Sequence, residues 1–139
     1  MTDPRPSRPR REQPDGTARR DLRLTRERRL DPAGYKRVFD GGKSFAGRGL
    51  VVWCNMPAEP SGDARVGVVA SKRSFHDAVD RNRARRRMRE VFRLSREGLR
   101  PGVELVLVAR PRIRSMDFPA LSEDFRKACR KAGAWESGK

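Results

Sequence analysis

Between Lys72 and Phe92 the chain reads KRSFHDAVDRNRARRRMREVF. Guanidinium groups at this density can do one kind of chemistry well. Their planar forks match phosphate oxygens in a bidentate way, so a row of them reads a phosphate backbone. Placed on a helix at about 100° per residue, positions 81 to 99 divide cleanly. Ala84, Met88, Val91, Phe92, Ser95 and Leu99 share one sector, which must face a core. Asn82, Arg85, Arg86, Arg89, Arg93 and Arg96 fill a separate sector about 100° wide. Arg83, Arg87, Glu90 and Glu97 occupy the remainder. A solvated helix face usually mixes signs; this strip does not. Asn82 is its one uncharged member, and an amide can read a base edge or a 2′-hydroxyl. Lys72 and Arg73, before the helix, extend the cationic surface into a loop.

Other chemistries find little footing. The single histidine, His76, has no nucleophile or carboxylate partner visible in the sequence and reads as a surface residue. GGKS at Gly41–Ser44 lacks the upstream glycine of a phosphate loop, that position being Arg37. Cys54 and Cys129 form no CxxC pair, so a zinc site is not expected and both read as small apolar fillers in a reduced protein. No catalytic residue and no protein-bound metal are therefore expected.

Composition agrees. The 139 residues carry a net charge of +16, which implies a polyanionic partner, most simply nucleic acid. Arg outnumbers Lys 28 to 6. A GC-rich genome accounts for that choice, but not for the excess of both over 18 acids. No segment approaches the roughly 20 apolar residues of a membrane span, and the first residues lack a secretory h-region. A cytoplasmic protein without membrane association is expected.

The elements that must position the strip follow from pattern. Residues 1–21 are rich in Pro and Arg without apolar periodicity and read as a disordered basic tail. Asp31-Pro32 signals an N-cap and first helical position, and the helix stops at Gly41-Gly42. Tyr35 and Phe39, four apart, share one of its faces. Strands are expected at about Arg48–Cys54, Ala64–Ser71 and Val103–Ala109, with an extra short strand near Lys43–Phe45. In the second, Val66, Val68 and Ala70 point one way, Gly67 and Val69 the other. A last helix starts near Asp117 and ends before Gly133, with Leu121, Phe125, Ala128, Cys129 and Ala132 facing the core. The order is α-β-β-α-β-α over residues 22–133, with residues 134–139 as a C-terminal tail.

RVGVVASKR followed by AVDRNRARRRMREVFR resembles the signature of the bacterial ribonuclease P protein component: a strand ending in Ser and two basic residues, a short loop, and an Ala-Val-x-Arg-Asn-Arg helix start. YKRVFDGGKSFAGRGLVVW and GVELVLVARP fit the same family, so the likeness spans about residues 22–132. The loop SFHDAV departs from it, with His76-Asp77 where the family commonly has Gly-Asn. The resemblance implies an α+β sandwich of the ribosomal protein S5 domain 2-like type. It also implies a left-handed β-α-β crossover, against the right-handed rule that strand twist would favour.

It further implies a protein subunit of ribonuclease P, whose RNA, with magnesium, removes the 5′ leader of precursor tRNA by attack of water on a phosphodiester. On that reading Lys72, Arg73, Arg81, Asn82, Arg85, Arg86, Arg89 and Arg93 contact the ribonuclease P RNA. Tyr35, Phe39 and Trp53 line a cleft for the single-stranded leader, since unpaired bases stack on aromatic rings. The magnesium belongs mainly to the RNA, and DNA is not an expected partner. The alternative is a ribosomal protein or other RNA scaffold without a role in cleavage, which needs the basic helix but no exposed aromatic cleft. A DNA-compacting protein, the third reading, should prefer duplex to single strands.

Overall fold

The computed structural model describes residues 29–60 and 62–136. The tail expected over residues 1–21 and the domain start expected at Leu22 lie outside these. In chain order the elements are α1 (Pro32–Gly41), β1 (Lys43–Ala46), β2 (Leu50–Asn55), β3 (Arg65–Val69), α2 (Ala78–Ser95), β4 (Glu104–Ala109) and α3 (Phe118–Ala132), with short 3-10 turns at Arg96–Gly98 and Pro111–Ser115. The short extra strand is β1.

The helix ends follow the expected chemistry. Asp31 Oδ1 accepts the Gly34 amide at 2.8 Å, and Pro32 opens α1 without wasting a donor. Asp117 Oδ1 accepts the Ala120 amide at 2.9 Å. Gly133 then ends α3 at φ 77°, the left-handed conformation that glycine adopts at no steric cost. β2 starts later than expected because Gly47–Gly49 form a hairpin turn, closed by the Gly47 amide on the Leu50 carbonyl at 2.8 Å. Asp124 of α3 takes the Arg48 and Gly49 amides of that turn at 2.8 and 2.9 Å. α2 ends earlier than expected, at Ser95. Arg96–Gly98 tighten into the 3-10 turn, which delivers Leu99 to the core.

The four strands lie in the order β1-β2-β4-β3, antiparallel except for the parallel pair β3 and β4. The connection from β3 to β4 runs through α2, a β-α-β crossover between neighbours. One sheet face carries Leu50, Val52, Val66, Val68, Leu105 and Leu107, and packs with Met88, Phe92, Leu121 and Phe125 of α2 and α3 as the main core. Phe75, Phe92 and Phe125 are its largest fully buried side chains, each contributing roughly 1.5–3 kcal/mol of hydrophobic free energy. On the opposite face a smaller cluster of Leu30, Val38 and Val106 seats α1.

Residues 134–136 do not behave as the start of a tail. Ala134 is fully buried, Trp135 pairs with Leu99 and lies against Gly98, and the Glu136 amide donates to the Gly98 carbonyl at 2.7 Å. The turn after Gly133 folds the chain back onto the domain, which the terminal position of these residues concealed.

Candidate nucleic-acid interface

The core sector of α2 is as the periodicity requires: Ala84, Met88, Val91, Phe92 and Ser95 are buried. Their burial forces the cationic sector outward. Asn82, Arg85, Arg86, Arg89 and Arg93 line one depression of about 450 Å³, together with Arg29 and Glu90. Burial and the nearby charge of Arg29 lower the Arg89 guanidinium below its ordinary value, with Arg85 adding to this and Tyr35 opposing it. Five guanidinium groups against one carboxylate make a site short of negative charge. Glu90 is itself paired with Arg93, whose hydrogen bond holds the carboxyl below the usual range. Asn82 Oδ1 accepts from Arg85 Nη1 at 2.9 Å, which fixes the amide beside its neighbour.

Arg29 was not among the expected site residues; its sequence context marks it only as part of an Arg-rich approach to α1. It reaches the depression because it pairs with Val66 at the free edge of β3, where the Leu30 amide donates to the Val66 carbonyl at 3.0 Å. Arg96 leaves the strip. The helix has ended, and Arg96 lines a different depression with Asp63, Glu97 and Glu136.

Lys72, Arg73 and Arg81 do not line the arginine depression. Lys72 and Arg73 are exposed in the turn after β3. Arg81 holds the loop that follows: its Nη1 donates to the Phe75 and His76 carbonyls, both at 2.9 Å. Phe75 is fully buried, and Arg114 lies 4.4 Å above its ring while donating to the Ser74 carbonyl at 2.7 Å. The altered loop is thus pinned from two sides. Because β3 and β4 are parallel, their C-terminal ends share one edge of the sheet. The turn with Lys72 and Arg73 therefore stands beside the segment that follows β4, which carries Arg110, Arg112 and Arg114. Arg87 is structural, donating to the Ile113 and Met116 carbonyls.

The aromatic residues meet on the α1 face of the sheet. Phe39 and Trp53 pack edge to face with centroids 5.1 Å apart, and Phe39 remains 39% exposed. Tyr35 and Trp53 are half-buried against Val106, alongside Val69 and Val108, which continue the apolar floor. Tyr35 also guards the edge of β3. Its hydroxyl accepts the Val68 amide at 3.2 Å, and its ring lies so close over Gly67 that any Cβ there would collide with it. All three expected cleft residues therefore lie on one face, but Tyr35 is bound into the fold more than the other two.

One buried charge stands under this face. Glu104 is 3% exposed, and its carboxylate accepts from Arg37 Nε and Nη2 at 3.3 and 2.6 Å and from Asn55 Nδ2 at 3.1 Å. Burial alone would raise its pKa; the hydrogen bonds from Arg37 and Asn55 outweigh this and hold it below the usual carboxylate range. Cys54 and Cys129 are free thiols, both pushed up by burial.

The model of the family described as Ribonuclease P matches residues 24–133. The chain belongs to that family. The ribonuclease P protein component of Gluconacetobacter diazotrophicus is 39% identical over 102 residues, covering 73% of this chain and 86% of that protein. The component from Caldanaerobacter subterraneus subsp. tengcongensis is 37% identical over 102 residues, with 73% and 85% covered. Among solved structures, the Staphylococcus aureus RNase P protein superposes with a TM-score of 0.66 at 24% identity, covering 78% of this chain and 98% of that one, which supports the fold. Membership makes the chain the protein component of an endoribonuclease ribonucleoprotein that acts in tRNA 5′ processing, and removes the ribosomal-scaffold alternative. Its partner is RNA. Among the described residues no helix is long and apolar enough to cross a membrane.

Proposed function

We propose that the arginine depression on α2 binds the catalytic RNA and that the aromatic face of α1 and β2 holds the 5′ leader of precursor tRNA. The observation that carries the first half is the depression itself: five arginines and Asn82 gathered with a single, already paired, carboxylate. Phosphates are the groups that such a surface lacks. Lys72, Arg73 and Arg81 extend contact along the helix start, and the exposed Arg112 continues it across the sheet edge. The second half rests on Phe39 and Trp53, whose rings offer a sequence-tolerant platform for unpaired bases.

Magnesium is assigned to the RNA. Asp80, Glu90 and Glu104 are each ion-paired to an arginine, and among the described residues no three His, Cys, Asp or Glu side chains form a ligand set. The described side chains therefore offer no ready ligand set for an ion, and on this reading the part played by the chain is to bind and orient. We place it in the cytoplasm, with precursor tRNA as substrate. Reconstitution with a bacterial ribonuclease P RNA tests the reading. The expected outcome is cleavage of precursor tRNA at low magnesium only when both components are present. Cleavage by RNA-free protein, or no effect of the protein on the RNA's reaction, would overturn it.

A further inference from the structure

The buried Glu104 calls for an explanation that stability does not give. Glu104 is buried, but the Arg37 side chain that pairs with it is 47% exposed, so the pair adds little net stability and is better explained by what it orients. Glu104, at the start of β4, joins three elements. Arg37 comes from α1 through two hydrogen bonds, Asn55 comes from the end of β2, and Arg65 of β3 adds positive potential. α1 needs such a fixture. It is 10 residues long and buries only Gly34 and Val38. Val38 is its one fully buried apolar side chain, with Tyr35 half-buried beside it, so polar ties on its flanks help to fix its rotation about its axis.

A roll of about 20° would carry a ring on the helix surface, about 6 Å from the axis, through roughly 2 Å. That displacement breaks the contact of Phe39 with Trp53 and changes the opening above Val106. The Arg37–Glu104 fork opposes the roll from one side of α1, and the Tyr35 hydroxyl on Val68 opposes it from the other.

We propose that Glu104 is a positioning residue for leader recognition: by holding Arg37 and Asn55 it sets the angle of α1 at which Phe39 and Trp53 form a stacking platform. This rests on the leader-cleft reading given above. The test uses holoenzyme reconstituted with a bacterial ribonuclease P RNA, measuring affinity for precursor tRNA and for mature tRNA. Glu104→Gln is expected to lower the preference for precursor over mature tRNA about tenfold, within the range for one lost stacked base, with affinity for mature tRNA unchanged. The double variant Glu104→Leu/Arg37→Leu separates orientation from stability. It should keep the melting temperature of the free protein and still lose the preference. Phe39→Ala is run beside both. If Phe39→Ala abolishes the preference while both Glu104 variants retain it, the positioning role is overturned and the cleft stands. If Phe39→Ala leaves the preference intact, the cleft reading falls and the positioning role falls with it.

Discussion

At the scale of single residues, the three aromatic side chains differ in how much of each is free to meet a ligand. Phe39 is 39% exposed and makes its one ring contact with Trp53. Phe39→Ala should therefore weaken precursor-tRNA binding by roughly 1 to 3 kcal/mol, the cost of a lost stacking partner, with little change in melting temperature. Paired titrations and a melting curve of the free variant check both halves. Tyr35 behaves differently because its hydroxyl satisfies an edge amide of β3. Tyr35→Phe keeps the ring over Gly67 and removes that acceptor, so it should cost about 1 kcal/mol of folding stability, read by chemical denaturation. The side chains at 35, 39 and 53 were legible as a group from their aromatic character and the family likeness. The tie from Tyr35 to Val68 was not, because nothing in local sequence states which strand edge a helix will cover.

At the scale of elements, α2 does two jobs with one residue type. Arg85 and Arg89 line the depression, whereas Arg87 holds the Pro111–Ser115 turn through two carbonyls. Arg85→Ala with Arg89→Ala should flatten the salt dependence of RNA binding, by roughly 0.7 to 0.9 in log-log slope per lost phosphate contact, and leave stability near the parent value. Arg87→Ala should do the reverse, lowering the melting temperature with the slope unchanged. Binding at several salt concentrations distinguishes them. Helical periodicity made this division half legible. Spacing of 3.6 residues per turn placed Arg87 outside the strip and Arg85 within it, since burial of Met88 and Phe92 dictates the rest of the wheel. The partner of Arg87 lies in a segment 26 to 29 residues further on, beyond the reach of any local pattern. Arg96 was misplaced for a related reason. Extending the wheel past Ser95 assumes an α-helix where the chain had tightened to bring Leu99 inward. The cap at Asp31 and the helix start near Asp117 were legible because capping is settled within three residues.

At the scale of the whole molecule, a net charge of +16 works against compactness until anions gather on it. Arg29, Arg85 and Arg89 crowd one side of the fold, so a bound polyvalent anion should stabilise the native state by mass action. Sulfate should raise the melting temperature more than chloride at equal ionic strength. Because sulfate also strengthens burial in general, the decisive comparison is with Arg85→Ala/Arg89→Ala, in which the excess over chloride should shrink. The order of elements was legible from one pass along the chain, as was the side of the sheet that the residues of β3 would take. Two long-range closures were not: Arg29 against Val66 and Trp135 against Leu99, which bring the chain on either side of the domain back to it. The second of these has an optical consequence. The protein has two tryptophans, one in the aromatic face and one in the closing segment beside Gly98. With Trp135→Phe, all remaining indole emission comes from Trp53, so occupancy of the proposed leader site can be followed by intrinsic fluorescence without attaching a dye to either protein or RNA.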